Sequence, residues 1–183
     1  MVNREYKIVI LGTGHVGKSA ILRRFFEGIF IKRYDPIHED LPPQTLKIDG
    51  NNYTLSINDR SSRYCETHEM REEYMKSAHG FILVYSITAQ SSLINLEQIY
   101  DEIVRYRETN DVPIVLVGNK CDLESERIVS QDDGKAFAEK WNAEFLEVSA
   151  KDEIRVNDIF TTLIKKIDEK CAPKKEKKGC ALL

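Results

Sequence analysis

The sequence predicts an α/β fold: a mostly parallel six-stranded sheet with one antiparallel edge strand and helices on both faces. Three observations predict it. Short apolar runs alternate with longer stretches of helical periodicity, the order that a parallel sheet with crossover helices requires. The first run passes through a glycine-rich loop directly into a helical pattern. Near residue 50, two runs are separated only by residues that tolerate left-handed backbone, which adds a hairpin to the parallel order.

Residues 6–11 (YKIVIL) read as a buried first strand, and Ile21, Leu22, Phe25 and Phe26 then share one face of a helix. Residues 45–49 and 53–58 flank Gly50, Asn51 and Asn52, a three-residue turn joining the hairpin strands. Further strands are expected at residues 80–86, 113–118 and 144–148, separated by helices over 91–107 and 131–141, with a last helix over 155–169. No repeat is present, so residues 1–170 read as one domain. Residues 171–183 read as a disordered basic tail, too polar and charged to pack.

The bulk properties exclude several classes. With 42% hydrophobic and 31% charged residues the chain can bury a core, and it has no apolar run near the roughly 20 residues a membrane helix needs. The start has no basic region followed by an apolar signal core, so no secretion is expected. Cysteines 65, 121, 171 and 180 show neither paired nor metal-ligand spacing, which fits a reducing compartment. The net charge of −3 divides into about +3 on Lys174, Lys175, Glu176, Lys177 and Lys178 and about −6 on the rest. A basic tail on an acidic body argues against nucleic acid as a partner.

Chemistry begins at Gly12-Thr13-Gly14-His15-Val16-Gly17-Lys18-Ser19, which matches G-x-x-x-x-G-K-[ST] between a buried strand and a helix. Glycines let successive amides point at phosphate oxygens, with the positive end of the helix dipole beneath them. Lys18 supplies a full positive charge, Ser19 a hydroxyl for magnesium, and Ala20 completes the nucleotide-binding run that starts at Gly14. His15 occupies a variable slot and is read as a loop residue, not a base. The pattern by itself is also compatible with a plain glycine-rich turn; its place in the chain favours the P-loop NTPase fold.

The base is read elsewhere. Asn119-Lys120-Cys121-Asp122-Leu123 follows an apolar strand and fits N-K-x-D. A carboxylate accepts only, so Asp122 can take both N–H groups on one edge of guanine, where adenine presents an acceptor. Ser149-Ala150-Lys151 follows the next strand and can offer a backbone amide to the guanine carbonyl oxygen, with Lys120 and Lys151 flanking the ring. Asp122 also disfavours an ATP-using transferase.

This series, with Asp59 between, resembles the motifs of Ras-superfamily GTPases over roughly residues 5–170. Residues 80–91, Tyr34-Asp35-Pro36 and residues 117–123 most resemble the Ras and Rap branch. The resemblance implies a GDP/GTP-binding signalling protein with Mg2+, served by exchange factors and effectors. It also implies that Phe30 stacks edge-on against guanine and that Asp59 holds magnesium through water.

Two departures fall where the family reads the γ-phosphate. Its first mobile segment, Y-D-P-T-I-E-D, is here Tyr34-Asp35-Pro36-Ile37-His38-Glu39-Asp40, and Ile37 has no oxygen for the metal. Its second, D-T-A-G-Q, is here Asp59-Arg60-Ser61-Ser62-Arg63, with Ser62 in the glycine slot, Arg63 in the glutamine slot and one extra residue before Met70. No catalytic residue is therefore named. A contact to a charged group contributes roughly 1.5–3 kcal/mol, so two weakened contacts remove on the order of 3–6 kcal/mol. Throwing a two-state switch takes about 5.5 kcal/mol, so weak GDP/GTP discrimination and very slow hydrolysis are expected. Arg60 or Arg63 could instead stabilise charge in cis. The alternative is a pseudo-GTPase, a membrane-attached interaction module without effective switching.

Leu41-Pro42-Pro43 removes two backbone donors at the start of the exposed second strand, which disfavours partners that pair edge to edge. Finally, Cys180-Ala181-Leu182-Leu183 fits C-a-a-X with terminal Leu, the pattern for geranylgeranyl on Cys180. Lipid plus lysines supplies the two signals stable anchoring needs, and the expected location is the cytosolic face of a membrane, the plasma membrane.

Overall fold

The computed structural model describes residues 3–32, 42–59 and 68–171, with Asp59 and His68 described by backbone alone. The elements are β1 (Asn3–Leu11), α1 (Lys18–Glu27), β2 (Gln44–Ile48), β3 (Asn51–Asp59), α2 (His68–Ser77), β4 (Gly80–Ser86), α3 (Gln90–Ile94), α4 (Leu96–Arg107), β5 (Ile114–Asn119), α5 (Gln131–Lys140), β6 (Glu144–Val148) and α6 (Val156–Cys171). A 3₁₀ turn at Glu124–Glu126 lies between β5 and α5.

The sheet has six strands in the order β2-β3-β1-β4-β5-β6. Every neighbouring pair is parallel except β2 with β3, so the antiparallel strand sits at the edge as expected. Alternation along β1 and β4 divides the core: Ile8, Ile10, Ile82 and Val84 face α1 and α6, while Val9, Leu11, Phe81, Leu83 and Tyr85 face α2 to α5. On α6, Ile159, Phe160, Leu163, Ile164 and Ile167 are buried at helical spacing, and Phe160 stacks on Phe25 at 3.7 Å. Asp168 accepts hydrogen bonds from the Tyr6 and Tyr53 hydroxyls and pairs with Arg4, tying the last helix to β1 and β3.

Several boundaries differ from the expectation. The hairpin turn is Asp49-Gly50 alone, because Ile48 already pairs with Asn51. Both turn residues have positive φ, 48° and 81°, which is the two-residue geometry that matches strand twist and favours Asp-Gly. The expected helix 91–107 is two helices, broken at Asn95, a weak helix former. α2 was not expected at all; its HEMREEYMKS is mostly polar and buries chiefly Tyr74 and Met75. The first strand starts at Asn3 rather than residue 6. Pro42 and Pro43 precede β2 rather than opening it, so they take no donor from the β2–β3 ladder.

The order β3-β1-β4 reverses the direction of chain travel at β1. In open α/β sheets the crevice outside the carboxyl ends of the strands at such a point is where ligands bind. Gly12, Asp59, Ser86, Asn119 and Ser149 all lie at those ends or just past them.

Candidate functional site

The loop after β1 is shaped by two glycines with no room for a side chain. A Cβ on Gly12 would lie 2.3 Å from the Val84 carbonyl oxygen, and one on Gly17, at φ 98°, would lie 2.2 Å from Asn119 Nδ2. Val16 is buried beneath the loop, while Gly14 and His15 form its exposed tip, His15 at φ 64°. Gly17 caps α1, and its carbonyl accepts from the Ile21 N–H at 2.9 Å. Lys18 is only 5% exposed, and its ammonium donates to the Gly12 and Thr13 carbonyls at 2.8 and 2.9 Å. A cation, a curled backbone and the start of a ten-residue helix thus converge at one spot. Ala20 packs against the core from the first turn of α1.

Ser19 is the second residue of α1, and the parallel register sets Asp59, at the end of β3, beside Ile10 of β1. Serine and aspartate are residue types with hard oxygen donors, the chemistry that suits Mg2+.

Asn119 joins this loop to the next. Its Nδ2 donates to the Val16 carbonyl at 2.9 Å, and its Oδ1 accepts from the Ala150 N–H at 3.3 Å. Its side chain therefore works as a staple inside the protein, 2% exposed. Lys120 has φ 70°, and its carbonyl accepts from the Leu123 N–H at 2.9 Å, which turns the chain so that Asp122 faces β6. Burial holds the Lys120 ammonium below its ordinary range, against the opposing pull of Asp122 and Glu126.

Asp122 is braced from the third loop. Ser149 Oγ donates to its Oδ1 at 2.7 Å, and Lys151 Nζ lies 3.5 Å from its Oδ2, leaving the carboxylate 6% exposed. Ser149 and Ala150 are buried, and an antiparallel bridge from Ser149 to Ile154 closes the loop. The structure thus brings Lys18, Asn119, Asp122, Ser149, Ala150 and Lys151 into one hydrogen-bonded assembly. Phe30 is half-buried against the core face shared by α1 and α6. Ile37, Ser62, Arg63 and Cys180 lie outside the described residues.

Two arginines that hold the site were not anticipated. Arg127 forms a two-pronged pair with Glu147 at 2.6 and 2.8 Å, locking the stretch after Asp122 to the end of β6. The Glu147 and Glu124 carboxylates raise its already high pKa further. Arg24 on α1 reaches the carbonyls of Ala150 and Lys151 at 2.9 and 2.8 Å. No local spacing in the sequence advertises either contact, since the partners lie 20 and 126 or more residues away.

With this geometry in place, comparison with known families supplies one finding: the model of the Ras family matches residues 7–169.

Proposed function

The chain belongs to the Ras family and is a GTP-binding small GTPase; from that premise we propose a Ras/Rap-like signalling protein, held to a membrane, that binds GDP and GTP with Mg2+ and hydrolyses GTP very slowly. The observation that carries this reading is the braced Asp122 carboxylate, joined through Asn119 to the loop that presents Lys18. One end is built to take two donors from a base edge, and the other to take phosphate charge.

The roles follow from chemistry. Gly14, His15, Val16 and Gly17 offer amides to phosphate oxygens, Lys18 neutralises them, and Ala20 keeps the helix start in place. Asp122 selects guanine, Lys120 and Lys151 cover its faces, and the 149–151 loop serves its carbonyl edge. Phe30 and Leu123 fill in apolar surface around the base. Ser19 and Asp59 would hold the magnesium, which when bound offsets charge on the phosphates. Ile37 has no side-chain oxygen to give to that metal, Ser62 replaces the family's glycine, and Arg63 replaces its water-orienting glutamine.

The same three residues support a second reading, a pseudo-GTPase that works by fixed contacts. A single-turnover GTP hydrolysis time course, run beside the nucleotide content of the purified protein, separates them. The first reading expects bound guanine nucleotide and a slow rate that rises when Ser62→Gly and Arg63→Gln are installed together. Fast unaided turnover refutes slow hydrolysis, and nucleotide-free protein that fails to load favours the second.

Attachment rests on Cys180 carrying geranylgeranyl, with Lys174, Lys175, Lys177 and Lys178 adding about 1 kcal/mol per charge at an anionic leaflet. That combination suits the cytosolic face of the plasma membrane. Exchange factors and effectors are the expected partners, and nucleic acid is not. Effectors that extend the sheet from β2 meet Pro42 and Pro43 just before the edge, where no donor is available to them.

A further inference from the structure

We propose that Arg24 is a positioning residue for guanine recognition, holding the base-reading loop and, through it, the Asp122 carboxylate. The inference deepens the guanine reading above and rests on it.

All three guanidinium nitrogens of Arg24 are engaged with backbone. Nε donates to the Ala150 carbonyl at 2.9 Å, Nη2 to the Lys151 carbonyl at 2.8 Å and Nη1 to the Gly28 carbonyl at 2.7 Å. The side chain is 13% exposed, and its pairing with Glu153 is long, 3.4 Å, against a carboxylate that is 62% exposed. The clasp is therefore made to carbonyls first and to the carboxylate second.

Fixing a carbonyl fixes the amide across the same peptide bond, because the unit is planar and the N–H of a trans peptide points opposite to its C=O. With the Ala150 carbonyl turned to Arg24, the Lys151 N–H is directed away from α1. With the Lys151 carbonyl turned the same way, the Asp152 N–H is directed back into the loop, where it donates to Ser149 Oγ at 3.0 Å. That hydroxyl in turn donates to Asp122 Oδ1 at 2.7 Å. A continuous path of oriented groups thus leads from a helix-α1 side chain to the carboxylate that selects the base. No other described side chain bonds both loop carbonyls.

A fixed fork is needed for this. A lysine carries the same charge as a compact ammonium without the planar geometry, so it can satisfy one carbonyl but not orient two peptide planes.

The test compares GDP with 2-aminopurine riboside 5′-diphosphate, which keeps the sugar, the phosphates and the 2-amino group but lacks the carbonyl oxygen and the N1–H. Wild type, Arg24→Ala and Arg24→Lys are loaded with each, dissociation rates are measured by stopped-flow, and thermal unfolding monitors the fold. Arg24→Ala should release GDP about tenfold faster, as loss of one to two well-placed hydrogen bonds implies, and the analogue less than twofold faster. Arg24→Lys should recover less than half of that loss on a logarithmic scale. Equal acceleration of both diphosphates would show general loosening and overturn the inference. So would GDP release within twofold of wild type, or full recovery by lysine. A wild-type chain that held neither diphosphate would overturn the guanine reading itself and this inference with it.

Discussion

Replacing Asp122 by Asn probes the base site with the least disturbance to the fold. Asp122 is nearly buried, and its Oδ1 accepts from Ser149 Oγ at 2.7 Å while Oδ2 lies 3.5 Å from Lys151 Nζ. An asparagine can keep its own Oδ1 on Ser149. Its Nδ2 then occupies the Oδ2 position, a donor facing both the Lys151 ammonium and the N–H edge of guanine. Two hydrogen bonds to a charged acceptor are lost, each contributing roughly 1.5–3 kcal/mol, so GDP binding should weaken by about 3–6 kcal/mol. That is a factor of about 100 to 20,000 in Kd.

The same amide suits xanthine, which carries a carbonyl where guanine carries its amino group, so the variant should recover affinity for xanthosine diphosphate while losing it for GDP. Competition titration against a fluorescent guanine nucleotide, with GDP, xanthosine diphosphate and ADP as competitors, reads all three at once. Unchanged GDP affinity in Asp122→Asn, with the melting temperature unaltered, would refute the role given to this carboxylate. A loss equal for guanine and xanthine would show a distorted loop instead of altered recognition.

Other expectations follow from the remaining groups. Ile37→Thr supplies the hydroxyl that the family's Y-D-P-T-I-E-D motif carries and should raise the preference for GTP over GDP by about 1.5–3 kcal/mol in magnesium, measured by competitive displacement; an unchanged ratio would contradict the role of that position. Cys180→Ser should move the protein from membrane to soluble fraction after expression in eukaryotic cells, and persistent sedimentation with membranes would contradict lipid attachment. Stability should fall in two steps on acidification. His79 is held below its ordinary pKa by burial, with Arg107 and Lys7 adding to it, and its Nδ1 accepts from the Lys7 N–H at 2.9 Å. A depressed folded-state pKa contributes stability that is present above the unfolded value, about 6.5, and lost as pH falls through the folded one. Burial pushes the Asp168 carboxyl up, but the Tyr53 and Tyr6 hydroxyls and Arg4 outweigh it and leave it below the usual carboxylate range. The second loss therefore falls below about pH 3.9. Urea midpoints from pH 8 to 3 should show both, His79→Gln should flatten the first, and stability rising between pH 7 and 5 would contradict the account.

What was legible in the sequence was whatever chemistry writes locally. Gly12, Gly17 and Lys18 stand within one short stretch and Asn119 and Asp122 within another, and a mostly parallel six-stranded sheet with an antiparallel edge strand followed from apolar runs between helical stretches, though the strand order did not. Boundaries set by register were not. Asp49-Gly50 turns the hairpin because Ile48 pairs with Asn51, a fact of the ladder that a three-residue turn over Gly50, Asn51 and Asn52 could not anticipate. α2 escaped notice because most of its residues are polar and only Tyr74 and Met75 are deeply buried. The greatest gain came from long-range pairs. Arg24 and Arg127 look like ordinary helix and loop charges, and only the fold sets them against carbonyls 126 and 127 residues away and a carboxylate 20 residues away. Asn119 fits the base motif by type, yet its amide spans two loops of the protein itself.

Calorimetric titration of the nucleotide-free chain with GDP, GTP and ATP, each in magnesium, tests the central claim most directly. Both guanine nucleotides should bind at or below micromolar concentration, with little separation between them, and ATP should bind at least 100-fold more weakly, as rejection at a charged acceptor implies. ATP bound as tightly as GTP, or no heat from either guanine nucleotide, would contradict it.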